Sequence, residues 1–218
     1  MSTVITEQIL LDAQQQLQDS LGVTYDYDAL YPYLNLAIKE IVNLKPEAYA
    51  VTEDLTLAAG SIQSLGSTDI QLMDVVCNLG TGTTSVIGTT ITPMKKGNID
   101  RALPNWMTYT ADAVVKHVIT DERNPKTFYV FPPQPSSGTG KIQVVVSQAP
   151  DDITDISDEF PLDLSYVPAA VDYLVYRALS EETSIPNAQA KAMTFKNKFL
   201  EDLGLKSNQE KQTQSGGA

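Results

Sequence analysis

Apolar positions recur at two different periods along this chain. Between Thr3 and Ser20, Ile9, Ala13, Leu17 and Leu21 return every four residues among glutamines, which predicts an amphipathic helix. Thr3 or Thr6 is the expected cap, Glu7 sits near the positive end of its dipole, and Gly22 stops it. A second helix opens at Asp26 or Asp28, with Pro32 in or near its first turn. Its buried stripe is Leu30, Leu34, Ala37, Ile38, Ile41 and Leu44, and Pro46 marks its end. The short Gly22–Tyr27 connection favours an antiparallel helix pair.

From Tyr49 the period falls to two. Val51–Leu57, Ser61–Leu65 and Ile70–Leu79 read as short strands separated by Ala59-Gly60 and Gly66-Ser67. Gly80-Thr81-Gly82 turns into a weakly apolar, Thr-rich strand, Thr83–Thr92, expected to be wet on one face or to lie at an edge. Pro93–Gly97 reads as a loop, and Asn98–Leu103 as one helical turn capped by Asn98. Three further runs follow: Ala113–Ile119 with Val115, His117 and Ile119 in phase, then Thr127–Phe131 stopped by Pro132-Pro133, then Lys141–Val146. In the last run Ile142, Val144 and Val146 alternate with Lys141, Gln143 and Val145, and together the three predict an antiparallel meander.

The helical period then returns. Asp151–Asp163 is an acidic connector with six carboxylates. Ser165 is the expected cap of a third helix, with Pro168 in its first turn. Its stripe is Val167, Ala170, Val171, Leu174, Val175, Ala178 and Leu179. After a break at Glu181–Asn187, Ala188, Ala192, Phe195, Phe199 and Leu203 mark a fourth helix, ended by Gly204. The expected fold class is therefore α+β: a four-helix bundle made from the N- and C-terminal helix pairs, with an inserted antiparallel β region. The boundaries are 1–48 and 160–204 for the bundle, 49–150 for the insertion, 151–159 for the acidic connector and 205–218 for a flexible C-terminal tail. Helices layered on the sheet in one α+β domain are the alternative.

Composition narrows the function classes. The 218 residues are 42% hydrophobic and 19% charged, which suits a folded chain with a sizeable core. A net charge of −12 repels free nucleic acid, so sequence-specific DNA or RNA binding is not expected. Cys77 is the single cysteine, which rules out an intrachain disulfide and fits a reducing compartment. Met1–Gln8 lacks a basic region followed by an apolar stretch, so no secretory signal is expected, and no window approaches the roughly 20 apolar residues of a membrane span.

Candidate chemistry is sparse. His117 is the single histidine, no Gly-x-Ser-x-Gly elbow accompanies it, and Cys77 falls in an apolar strand. An enzyme would rest on Asp112, His117 and Asp121 alone, on strand positions that need not converge. One His and one Cys make no zinc tetrad, and Asp151–Glu159 lacks the alternate spacing and central glycine of a calcium loop. Gly80, Gly82 and Gly88 do not open a phosphate-binding helix. No catalytic, cofactor or metal residue is therefore assigned. Trp106 and the ten tyrosines either fill cores and subunit contacts or form a sugar-binding platform, and Trp106 with the Thr-rich strands motivates a tail or receptor-binding module as the alternative. The polar segment Lys206–Ala218 is either a dispensable end or a segment that folds on a partner.

One long stretch carries a resemblance. Asp100-Arg101 is followed by Pro104-Asn105-Trp106, then by Asp121-Glu122-Arg123-Asn124-Pro125-Lys126-Thr127-Phe128-Tyr129-Val130-Phe131-Pro132-Pro133, and by a Val-rich strand ending Gln148-Ala149-Pro150. Leu34–Ile41 and Ala170–Ser180 flank it in the same order. The chain in this respect resembles a family of tailed-bacteriophage adaptor proteins, similar in role to the tail tubular A protein of short-tailed phages and to other head–tail connectors. The resemblance implies a structural virion protein rather than an enzyme, made in the host cytoplasm and placed in the neck of the particle. It implies a homo-oligomeric ring, usually a dodecamer, docked beneath the portal protein. That ring continues the channel through which genomic DNA passes without sequence-specific binding, and gives a platform to a downstream tail or nozzle protein. It involves no membrane and no cofactor. With the resemblance in hand, Lys206, Ser207, Asn208, Gln209, Lys211 and Ala218 mark the expected portal-docking tail.

Overall fold

The computed structural model describes residues 5–81, 85–121, 123–182 and 186–205. In chain order the helices are α1 (Thr6–Gln16), α2 (Tyr27–Leu44), α3 (Lys96–Ala102), α4 (Val167–Glu181) and α5 (Ala188–Asp202). The strands are β1 (Ala50–Thr56), β2 (Gly60–Ser64), β3 (Asp69–Gly80), β4 (Thr92–Lys95), β5 (His117–Thr120), β6 (Thr127–Gln134) and β7 (Lys141–Gln148). They divide into two compact units, one from segments 1–48 and 150–218, the other Tyr49–Ala149.

The four helices of the first unit do not form the expected four-helix bundle. α1, α2 and α5 each pack on α4. The reason lies in the stripes. α4 buries Ala169, Ala170, Val171, Asp172, Leu174, Val175, Ala178 and Leu179, too broad an arc for one face, so it is wrapped as a hub. α5 buries Ala188, Ala192 and Phe199, too narrow a stripe to share a common bundle core. α1 contributes Ile9, Leu10 and Ala13, and α2 contributes Leu30, Leu34, Ala37, Ile38, Ile41 and Val42.

Local capping explains the helix ends. α1 has no side-chain cap; instead Thr6 N–H and Glu7 N–H donate to the carbonyls of Asp158 (3.0 Å) and Ile156 (3.1 Å) in the connector. α1 stops at Gln16, earlier than expected, because Asp19 draws the chain into a tight loop. Its carboxylate accepts the N–H groups of Val23 (3.0 Å), Thr24 (2.8 Å) and Tyr25 (2.7 Å), with Gly22 at φ 61°. Asp26 caps α2 by accepting Ala29 N–H at 2.8 Å. Pro32 falls inside α2. Asp163, not Ser165, caps the turn before α4 by accepting Ser165 N–H at 2.9 Å.

The second unit stacks two sheets face to face. One has the order β1-β7-β3 and is antiparallel; the other has the order β2-β6-β5-β4, with β4 and β5 parallel. The expected meander holds for β5 and β6 but breaks at β7, which crosses into the other sheet between β1 and β3. Ile142, Val144 and Val146 of β7 are fully buried against Val118, Phe128 and Val130, so the alternating face is spent across the sandwich instead of beside β6. β6 runs on through Pro132-Pro133, past the expected stop. The prolines fall where the β2 pairing shifts register between Gly60 and Ile62, so their missing N–H groups break no regular ladder.

Two amides fasten the sandwich. Asn78, 5% exposed, donates to the carbonyls of Val115 (2.8 Å) and Thr89 (3.1 Å) and accepts Val115 N–H at 2.8 Å. Gln134 donates to the Asp112 carbonyl at 3.0 Å and accepts Gly140 N–H at 2.7 Å, where the chain leaves one sheet for the other. A Cβ on Gly140 would strike the Ala113 carbonyl oxygen. The expected Thr83–Thr92 strand is reduced, among the described residues, to a β-bridge between Thr90 and Cys77, with residues 82–84 outside the described ones; the strand forms later, as β4 (Thr92–Lys95), where a loop was expected. α3 begins earlier than the expected turn, with Lys95 and not Asn98 at its N-cap.

Candidate functional site

The outer face of the β2-β6-β5-β4 sheet carries the residues on which the resemblance rests. On α3, Lys96 and Asp100 are one turn apart and form an ion pair at 2.7 Å. The chain then folds back, and Trp106 Nε1 donates to Asp100 Oδ1 at 2.9 Å. Hydrogen bonds from Lys96 and then Trp106 hold the Asp100 carboxyl below the usual range. The indole stands edge-on to Tyr129 at 5.8 Å and packs with Ile99, Ile119 and Phe131. Trp106 is 1% exposed, so it clasps α3 to the sheet and offers no platform to a sugar.

The remaining candidate chemistry resolves into local structure. His117 is half-buried and stacks on Phe131 at 6.1 Å. Asp112 accepts Val114 N–H and Asp121 accepts Arg123 N–H, each at 3.0 Å, so each carboxylate shapes its own loop. Cys77 is buried in β3. In the connector, Asp158 accepts the N–H groups of Thr154 (3.0 Å) and Asp155 (2.9 Å), Asp155 binds both donors of Ser157, and Asp152 pairs with Lys39 at 2.6 Å. Among the described residues no three His, Cys, Asp or Glu side chains gather as metal ligands.

One carboxyl departs from this pattern. Asp172 on α4 is 8% exposed, and burial pushes it up to about 6 against the pull of Lys198, with Asp202 adding to the rise. Its position beside Val171, as the single charged residue of the run Val167–Tyr176, was the sequence signal for a buried acid.

The described surface also carries exposed apolar features. The β1-β7-β3 and β2-β6-β5-β4 sheets part at one end to leave a groove of about 430 Å³. Leu72, Met73, Val75, Pro93, Val118 and Phe128 line it, with Asp74 and Asp121 among its polar residues. Beside the last residues of β3, where the chain folds back along Asn78 and Leu79, Val86 and Ile87 project at 65% and 81% exposure. Their loop is held by Asn78, by Val86 N–H on the Leu79 carbonyl (3.2 Å) and by Ser85 on Asp54. In the helical unit, Leu21 and Val23 stand 90% and 81% exposed on the loop that Asp19 organises. The sequence places Leu21 on the buried stripe of the first helix and Val86-Ile87 within the Thr-rich strand; α1 ends at Gln16, which leaves Leu21 on the loop, and all three side chains are exposed. The groove had no signal in the sequence, because its walls come from distant strands. Lys206, Ser207, Asn208, Gln209, Lys211 and Ala218 lie outside the described residues.

No helix among the described residues is long and apolar enough to cross a membrane. Comparison with curated proteins finds no match. The family model described as SU10 adaptor protein, however, matches residues 7–218, from α1 through the clasp and both sheets to the C-terminal tail. With that match spanning nearly the whole chain, the protein belongs to the SU10 adaptor protein family of phage head–tail adaptors.

Proposed function

We propose that this chain is the repeating subunit of a ring beneath the portal protein, continuing the DNA channel and carrying the tail attachment platform below. The family match over residues 7–218 is the observation on which the reading rests. Charge supports it: at net −12, a wall built from this chain repels phosphate, so DNA slides past without sticking. Identical subunits that close a ring meet through two different faces, and the chain carries unlike apolar surfaces at separate places. The division into a helical part (1–48 and 160–204), a β insertion (49–150), a connector (151–159) and a tail (205–218) belongs to the same proposal. In it the tail, with Lys206, Ser207, Asn208, Gln209, Lys211 and Ala218, orders on the portal. The reading of a tail or receptor-binding module keeps only the Thr-rich segment as its motive, since Trp106 is 1% exposed.

The test is the native mass of the purified chain, alone and mixed with the portal protein of the same genome. A closed multimer that binds the portal, or a monomer that becomes one on it, is expected. A chain that ignores the portal in every state overturns the reading.

A further inference from the structure

Between α1 and α4 of the helical unit lies a cleft of about 350 Å³. That volume falls at the small end of the roughly 300–1,000 Å³ typical of ligand sites. Asp12, Gln15 and Gln16 line it from α1, and Val167, Pro168 and Asp172 from α4. Its polar lining is two carboxylates and two amides, with no lysine or arginine.

Asp172 is the group that calls for a ligand. It is 8% exposed, yet among the described residues it accepts no hydrogen bond and forms no ion pair. Lys198 pulls on it from α5 without pairing; its ammonium lies instead over the Phe195 ring, 4.8 Å from the centroid. The Asp12 carboxylate, by contrast, already accepts Gln8 Nε2 at 2.9 Å. A buried carboxyl with no partner weakens the fold, because burial penalises its charge and nothing on the chain compensates. A bound cation would supply the missing partner.

The lining also selects the class of cation. A bare divalent ion would be short of ligands, since no three His, Cys, Asp or Glu side chains gather among the described residues. A cation on an aliphatic stem finds both of the surfaces it needs. Carboxylate and amide oxygens accept its N–H groups, and the half-buried Val167 and exposed Pro168 take its methylenes.

We propose that the α1–α4 cleft is a binding site for an organic cation, an alkylammonium or alkylguanidinium group that pairs with Asp172 and lays its methylenes on Val167 and Pro168. The chemistry is the same whether a free amine brings the charge or a lysine or arginine side chain of a neighbouring protein does. The inference goes beyond the ring reading and does not depend on it.

The test is equilibrium dialysis of the full chain against radiolabelled agmatine. Saturable binding is expected, displaced by spermidine and not by the uncharged butane-1,4-diol. Asp172→Asn is expected to weaken it by about tenfold or more while the protein stays folded, and Asp12→Asn to weaken it less. Binding should strengthen as pH rises through about 6, where Asp172 ionises among Asp12 on α1 and Lys198 and Asp202 on α5. Agmatine that does not bind, or that binds parent and Asp172→Asn alike, overturns the site. Magnesium ion displacing agmatine at lower concentration than spermidine does overturns the class of ligand. Assembly on the portal separates the two sources. Weaker assembly of Asp172→Asn assigns the cation to a neighbour's side chain, and unchanged assembly with agmatine binding lost assigns it to a free amine.

Discussion

Replacing Asn78 with alanine should unfasten the two sheets. The side-chain amide is 5% exposed and sits against Val115, itself 1% exposed. It gives Val115 both a donor and an acceptor at 2.8 Å and reaches the Thr89 carbonyl at 3.1 Å and its hydroxyl at 3.0 Å. Alanine can replace none of these bonds. The N–H and C=O of Val115 are then left buried without partners, at about 1–3 kcal/mol each. Thr89 is exposed, so water replaces its share. The expected loss is about 3–4 kcal/mol, a large fraction of the roughly 5–15 kcal/mol that holds a typical domain folded. For a unit of this size that lowers the melting temperature by roughly 10–25 °C. Trp106 is the single tryptophan and lies buried in the same unit, so its fluorescence reports unfolding of the β sandwich apart from the helices. Thr89→Ala serves as the control, removing one solvent-facing arm for about 1 kcal/mol or less. If Asn78→Ala melts within a few degrees of the parent, the amide is not what joins the sheets, and the accounting by unpaired buried groups is wrong here.

Three other perturbations test other parts of the argument. Asp172→Asn should stabilise the chain by about 1–3 kcal/mol at pH 7–8 and by nothing near pH 4. The folded carboxyl titrates near 6, above its unfolded value of 3.8, so its favourable contribution is complete below 3.8 and is lost as pH rises through 6. Equal gains at both pH values in urea titrations followed by circular dichroism would refute this. Gly140→Ala should destabilise the β unit by about 1–3 kcal/mol, because the new methyl meets backbone, the Ala113 carbonyl, rather than a side chain that can swing away. A Trp106 fluorescence melt matching the parent would show that the corner has slack. Deleting residues 207–218 should weaken co-sedimentation with the portal while leaving the melting temperature unchanged, and undiminished docking would remove the tail from the proposed interface.

The elements were largely legible in the sequence, for reasons that are local. The four-residue recurrence in Leu30, Leu34, Ile38 and Ile41 marks α2, and the alternation of Ile142, Val144 and Val146 marks β7, because helix and strand periods are written in neighbouring residues. Turn chemistry was similarly local at Asp26, which caps α2 as one of two candidates, and at Gly204, which closes α5 at φ 67°. The distinctive stretch from Asp100 to Pro150, with Leu34–Ile41 and Ala170–Ser180 flanking it in order, also pointed to the adaptor family.

What the tertiary structure decided was which faces meet. Periodicity says that a face is apolar but not what covers it. The breadth of the α4 stripe made it a hub for α1, α2 and α5, where four helix signals had suggested a bundle. The same ambiguity sent β7 into the opposite sheet, because a buried strand face is satisfied equally by a neighbour across the sandwich. The amides of Asn78 and Gln134 look like any polar residue in a row of letters. Their partners across the sandwich lie at Val115 for Asn78 and at Gly140 for Gln134, brought near only when both sheets close. The groove depends on the same closure, since its lining is drawn from strands far apart in the chain. Local periods determined the elements of this protein, and competition among their buried faces determined its architecture and the surfaces left for assembly.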